Sequence, residues 1–172
     1  LSKFFRGIFK NPLKSLLKLV IIKIQNMFAC GRVRRIDMIK VICGPKGSGK
    51  TKRIIDAANE AVAGAKGNLV FITDTKRYMY DLRREIRFID TSDYSVAGED
   101  ALCGFIKGVI AGSYDNEYVY VDGIARIAGK AIKDMAQFFY MMEKVSDMRS
   151  LTLYITCSCA EEELPEFAKK YL

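Results

Sequence analysis

The chain has 172 residues, half of them hydrophobic and 28% charged, which is enough to bury the core of one domain and too apolar for a disordered tail. It contains no His and no Trp, so imidazole catalysis, His-ligated metals and His-based pH switching are excluded. The net charge of +8 is local: residues 1–37 hold nine of the 28 Lys/Arg and one acid, Asp37, leaving residues 38–172 neutral. A neutral globular part offers no broad footprint for a phosphate backbone, and no nucleic-acid partner is expected. The five cysteines, Cys30, Cys43, Cys103, Cys157 and Cys159, are odd in number and form no C-x-x-C pair. That argues against a disulfide framework or a zinc ribbon and for reduced thiols in a cytoplasmic protein.

Residues 1–37 read as a basic, apolar leader. Lys10, Lys14 and Lys18 fall on one helical stripe, and Lys18 and Lys23 interrupt the apolar stretch Leu16–Ile24, which is too short and too charged to span a bilayer. Two readings stand. One is an amphipathic helix lying on a membrane surface, which would place the protein peripherally at the inner membrane face. The other is translated leader ahead of a start at Met38, since "RRID" just upstream can be encoded with a ribosome-binding sequence. Either way residues 38–172 are expected to form the nucleotide-binding domain, with the leader dispensable for its fold.

From Met38 onward apolar runs and helical periods alternate. Ile39–Cys43 predicts a short buried strand, and Lys50–Ala65 a helix with Ile54, Ile55, Ala58, Ala61 and Val62 on one face. Residues 68–74 and 84–90 predict strands, the second shorter and half exposed, and residues 75–83 between them a turn, short helix or hairpin arm. Glu99–Gly112 predicts a helix in which Gly104, Gly108 and Gly112 form a small-residue stripe for close packing. Residues 117–122 are a strand, and Ile132–Met148 a helix with Met135, Phe139 and Met142 in the core. Residues 151–158 are the last strand, after which Pro165 opens a short helix. Strands alternating with helices imply a three-layer α/β fold, a mainly parallel sheet with helices on both faces and its ligand site at the carboxyl ends of the strands.

The first such end carries the clearest signal. Gly44, Pro45, Lys46, Gly47, Ser48, Gly49, Lys50 and Thr51 match G-x-x-x-x-G-K-[ST] in full, between a strand and a helix as the motif requires. Glycines let backbone N–H groups converge on a phosphate, and the helix that follows aims its positive end at the same anion. Lys50 would reach the β- and γ-phosphates of a nucleoside triphosphate, and Thr51 would offer its hydroxyl to Mg²⁺. Tyr118–Asp122 has the Walker B form, four apolar residues and then an acid at a strand end, so Asp122 is the second candidate metal residue. Thr156 or Ser158, at the end of the last strand, could sense the γ-phosphate or the attacking water. Lys50, Asp122 and Thr156 are therefore the candidate catalytic residues. Many P-loop ATPases place a glutamate directly after the Walker B acid; here that residue is Gly123, and no spacing selects Glu99, Glu117 or Glu143 as a substitute. No N-K-x-D loop is present to read guanine, so ATP is preferred.

From Met38 on, the chain resembles a family of short bacterial P-loop proteins, often labelled "twitching motility protein" or ATP-binding protein. The likeness rests on "MIKVICGPKGSGKTKRIIDAANEAV", "IRFIDTSDYSV", "GFIKGVIAGSYD", "YVYVDGIARI" and the "KKYL" ending. It implies an ATP-binding domain; pilus-retraction ATPases proper carry a further domain and His boxes that this His-free chain lacks. A weaker likeness is to bacterial-type thymidine kinases, in the order of "GPKGSGKT", "LVFITDTKRY" and "YVYVDG", with Asp74, Arg77 and Tyr78 after the second strand. The zinc-binding cysteines of those enzymes and their acid after the Walker B Asp are missing. This second likeness implies a RecA-like P-loop NTPase core. The expected function is a weak or partner-stimulated ATPase using ATP and Mg²⁺, a switch or assembly factor for a protein partner. Two alternatives are a small nucleoside or nucleotide kinase, with Arg77, Arg83, Arg84 and Arg87 clamping phosphates or acceptor, and a peripheral membrane module.

Overall fold

Strands β1 (Ile39–Cys43), β2 (Asn68–Thr73), β3 (Ile86–Asp90), β4 (Asn116–Val121) and β5 (Thr152–Cys157) form one sheet in the order β1-β5-β4-β2-β3. Every neighbouring pair is parallel. The structure is a computed structural model that describes residues 38–172; the expected leader, residues 1–37, lies outside them. Parallel strands are covered on both faces, which is why β2 is buried continuously from Leu69 to Thr73 rather than alternating with polar residues.

Successive side chains on a strand point to opposite faces, and this divides the core in two. Leu69, Phe71, Ile86 and Tyr120 meet Ile54, Ile55 and Ala58 of helix α1 (Lys50–Ala61). Their sequence neighbours Val70, Ile72, Val119 and Val121 belong to the larger cluster on the other face. There they join residues of α2 (Glu99–Ala111), α3 (Ile124–Ala128), α4 (Ala136–Arg149) and α5 (Glu166–Lys169). Burying one such Ile or Phe contributes roughly 1.5–3 kcal/mol, so this layering is the main term holding the sheet between helices. Met135, Phe139 and Met142 are buried in the core as the sequence leads one to expect.

Several boundaries differ from the sequence reading. Helix α1 ends at Ala61, four residues early, where Ala63 and Gly64 turn back onto the carbonyls of Glu60 and Ala61. Residues 75–83 contain a 3-10 helix, Lys76–Asp81, pinned by Asn59 of α1: its amide donates to the Asp81 carbonyl at 2.8 Å and accepts from the Arg83 N–H at 2.8 Å. The expected helix Ile132–Met148 is broken. Ile132–Asp134 is a 3-10 turn, and α4 starts only after Met135. Ahead of it lies α3, a five-residue helix that the sequence reading leaves out. The stripe Gly104, Gly108, Gly112 is not a packing face: all three are exposed, and a methyl group added at Gly104 or Gly108 would meet nothing within 4 Å. The apolar positions of α2 turn Leu102, Ile106 and Ile110 to the core, which leaves that stripe on the outside.

The four cysteines in the described residues are free. Burial pushes the Cys157 thiol well above its ordinary range, so it is held as an inert thiol. No helix in the described residues is long and apolar enough to cross a membrane.

Candidate functional site

The candidate site forms where β1, β4, β5 and β2 end on the same edge of the layer, because parallel strands bring all their carboxyl ends together. Strand β1 stops at Cys43, the loop 44–49 crosses the sheet edge, and α1 begins at Lys50. The first turn of α1 contains no acid, and no side chain caps it. Its positive end is therefore open to an anion. Lys50 is mostly buried and donates from Nζ to the carbonyls of Gly44 and Pro45, both at 2.7 Å. Those neutral carbonyls hold the ammonium without neutralising it, so an anion in the loop would gain a charge-assisted partner already in position.

Asp122 follows the last residue of β4, and its N–H still bonds to the Ile72 carbonyl at 2.9 Å, which fixes its backbone to the sheet. Both oxygens of the buried carboxylate are used. Oδ2 accepts from the Thr51 hydroxyl at 3.1 Å, and Oδ1 accepts from the Thr156 hydroxyl at 2.7 Å. Thr156 in turn accepts the Gly123 N–H at 3.0 Å. The fold thus brings Thr51, Asp122 and Thr156 together from three distant stretches of chain. Thr156 has its hydroxyl committed to Asp122 and Gly123; Ser158, two residues on, is the one that lines the open cavity.

Two residues complete the site that the motif reading does not assign. Arg126, on α3, grips Asp74, which follows β2, in a two-pronged pair: Nε to Oδ2 at 2.8 Å and Nη2 to Oδ1 at 2.6 Å. The same Nη2 lies 3.6 Å from Asp122 Oδ2. The hydrogen bond from Arg126 holds the Asp74 carboxyl below its ordinary range against the opposing effect of burial, and that pairing raises the guanidinium further above its own. The guanidinium lies directly over Gly123, which sits at φ 80°. A Cβ there would collide with Nη2, stand 2.8 Å from the guanidinium carbon and 3.2 Å from Asp74 Oδ1. The position where many P-loop ATPases carry a glutamate is here occupied in space by an arginine from three residues further along. The signal in the sequence is a basic residue one turn after Asp122, in "DGIAR".

A cavity of about 670 Å³ opens along this edge. Loop residues Lys46, Gly47 and Gly49 line it with Lys50, Thr51, Asp122 and Arg126, and it runs on to Ile55, Asp56, Tyr78 and Asp81. The three glutamates left open by the sequence do other work. Glu99 is buried, accepts the Phe138 N–H at 3.0 Å and pairs with Lys130; Glu117 accepts the N–H groups of Lys66 and Gly67; Glu143 pairs with Lys170. Arg77, Arg83, Arg84 and Arg87 are exposed and do not line the cavity.

The donor set suits the ligands the motif implies. A hydroxyl and a carboxylate 3.1 Å apart are hard oxygen donors, and Mg²⁺ characteristically takes one or two protein oxygens and completes its shell with water and substrate phosphate. No protein-family model matches the chain, and no curated protein sequence matches it.

Proposed function

We propose that residues 38–172 form a RecA-like P-loop domain that binds Mg-ATP and acts as a slow or partner-stimulated ATPase, a switch or assembly factor. The observation that carries this reading is the hydrogen bond between Thr51, on the first turn after the glycine loop, and Asp122, 71 residues away at the end of β4. A motif matched by chance has no reason to meet its partner acid across the sheet. The intervening strand β5 supports the RecA-like reading, since it separates the loop strand from the acid strand and carries a polar residue, Thr156, at its end. The loop N–H groups and Lys50 would hold the β- and γ-phosphates. Thr51 and Asp122 would hold Mg²⁺, which when bound offsets phosphate charge as phosphoryl transfer proceeds. A protein partner and a membrane surface met through residues 1–37 belong to the same proposal.

Calorimetric titration tests it. The wild-type chain should bind Mg-ATP, and Lys50→Ala, with its thermal midpoint unchanged, should bind it at least about tenfold more weakly through loss of charge-assisted hydrogen bonds. Equal affinity in the folded variant would refute the assignment.

A second reading has one observation in its favour. The cavity continues past the phosphate loop to Tyr78, Asp56 and Asp81, leaving room for an acceptor beside the terminal phosphate, as a nucleoside or nucleotide kinase needs. A screen of nucleosides for phosphorylated product, with ATP as donor, decides between the two.

A further inference from the structure

We propose that Arg126 reads the terminal phosphate: Asp74 holds it until a triphosphate binds, when it transfers its two-pronged grip to the γ-phosphate. The inference rests on the nucleotide-binding reading above and names a residue that neither motif contains.

Four observations converge on it. Arg126 lines the same cavity as Lys50, Thr51 and Asp122, so its guanidinium faces the place a terminal phosphate would take. Its reach is short: Nη2 is 3.6 Å from the Asp122 oxygen that also accepts the Thr51 hydroxyl. Its present partner is a carboxylate held by two parallel hydrogen bonds, and a phosphate presents oxygens with matching geometry and more charge, so the exchange replaces like with like. The side chain is half exposed at 53%, whereas Asp122 is 3% exposed, so the arginine can change partners without being drawn out of a core.

The backbone holds the helix in place, so the change of partner falls to the arginine side chain. Helix α3 is bracketed by Gly123 at φ 80° and Gly129 at φ 62°. The helix is tied to its neighbour in the same layer: the Gly98 N–H, at the start of α2, donates to the Ile127 carbonyl at 3.0 Å. Gly123 has no side chain to obstruct the guanidinium, which gives the missing glutamate a physical reason. Asp74 is a positioning residue in this scheme. It keeps the guanidinium on the cavity wall, with Nη2 still 3.6 Å from Asp122, and competes with the phosphate for it.

The test compares Mg-ATP with Mg-ADP on the full chain, by calorimetric titration of wild type, Arg126→Gln and Asp74→Asn. Arg126→Gln should weaken Mg-ATP by about tenfold, the scale of a charge-assisted hydrogen bond, and leave Mg-ADP within about twofold. Asp74→Asn should act in the opposite direction, tightening Mg-ATP several-fold, about threefold or more, with Mg-ADP unmoved, because the competitor has lost its charge. A merely structural pair would shift both nucleotides together. Should Arg126→Gln fail to fold, Asp74→Asn alone decides. An ATP-to-ADP ratio unchanged from wild type in the folded variants overturns the role of Arg126 while leaving the nucleotide site standing. A wild-type chain that binds neither nucleotide overturns both.

Discussion

Thr156 donates its hydroxyl to Asp122 Oδ1 at 2.7 Å and accepts the Gly123 N–H at 3.0 Å, so one side chain from β5 fixes both the carboxylate and the peptide that follows it. Replacing it with valine keeps the shape and removes both bonds, leaving a buried carboxylate oxygen and a buried N–H unsatisfied. Thr156→Val should cost about 1–3 kcal/mol of stability in urea denaturation. It should also weaken the Mg²⁺ dependence of ATP binding, since Asp122 would lose its orientation. A variant as stable as wild type would mean that the Asp122 carboxylate is held by other groups.

Hydrolysis by the isolated protein should be slow. Gly123 supplies no carboxylate to polarise water, and Glu99, Glu117 and Glu143 are engaged elsewhere. Phosphate release from Mg-ATP should stay below ~1 per second, the low end of ordinary enzyme turnover. A faster rate without any partner would show that a carboxylate in or beside the cavity, such as Asp56, Asp74 or Asp81, does the task.

Gly104→Ala and Gly108→Ala should each stabilise the protein. Both glycines lie inside α2, exposed, with open space where the methyl group would go. Alanine removes the backbone entropy cost of helical glycine, worth roughly 0.5–1 kcal/mol per site. The check is the shift in denaturation midpoint of each single variant. A loss of stability would mean that this face meets something outside residues 38–172.

Acid should weaken the protein partly through Asp74. Its carboxyl is held below the ordinary value of 3.8 in the folded state by Arg126. A group whose folded value is depressed contributes stability above its unfolded value and loses it as pH falls through the folded one. The stability difference between wild type and Asp74→Asn should therefore be constant at neutral pH and shrink below about pH 4. A difference that stays flat down to pH 2 would mean that the pair with Arg126 does not persist in solution.

The strand, glycine loop and helix of residues 39–61 were legible because their requirements are local: glycines, a lysine and a threonine at fixed spacing after an apolar run. Asp122 was legible as the end of an apolar run. The pair Arg126–Asp74 was not, because its partners are 52 residues apart and meet only when β2 and β4 lie side by side. The break at Met135 was hidden for a different reason. Ile132, Met135, Phe139 and Met142 keep helical spacing straight through it, with no Gly or Pro to mark the stop, yet the chain tightens into a 3-10 turn at Ile132–Asp134. The glycine stripe of α2 misled because glycines every four residues read the same in sequence whether they face a neighbour or open water.

The place of β1 in the sheet has a consequence for how the protein is made. Among the described residues its one neighbouring strand is β5, and its other edge is met by the Tyr171 carbonyl, which accepts the Val41 N–H at 2.8 Å. The strand that precedes the glycine loop is thus made more than a hundred residues before the β-strand it pairs with, and waits for it. Such long-range pairing is slow to form. Helices α1 to α4 and the β2–β3–β4 part of the sheet can assemble first, but β1 and the glycine loop after it gain their final place only once residues 152–171 have emerged. A nascent chain stopped before residue 152 would hold much of its core and leave the glycine loop without the strand that anchors it.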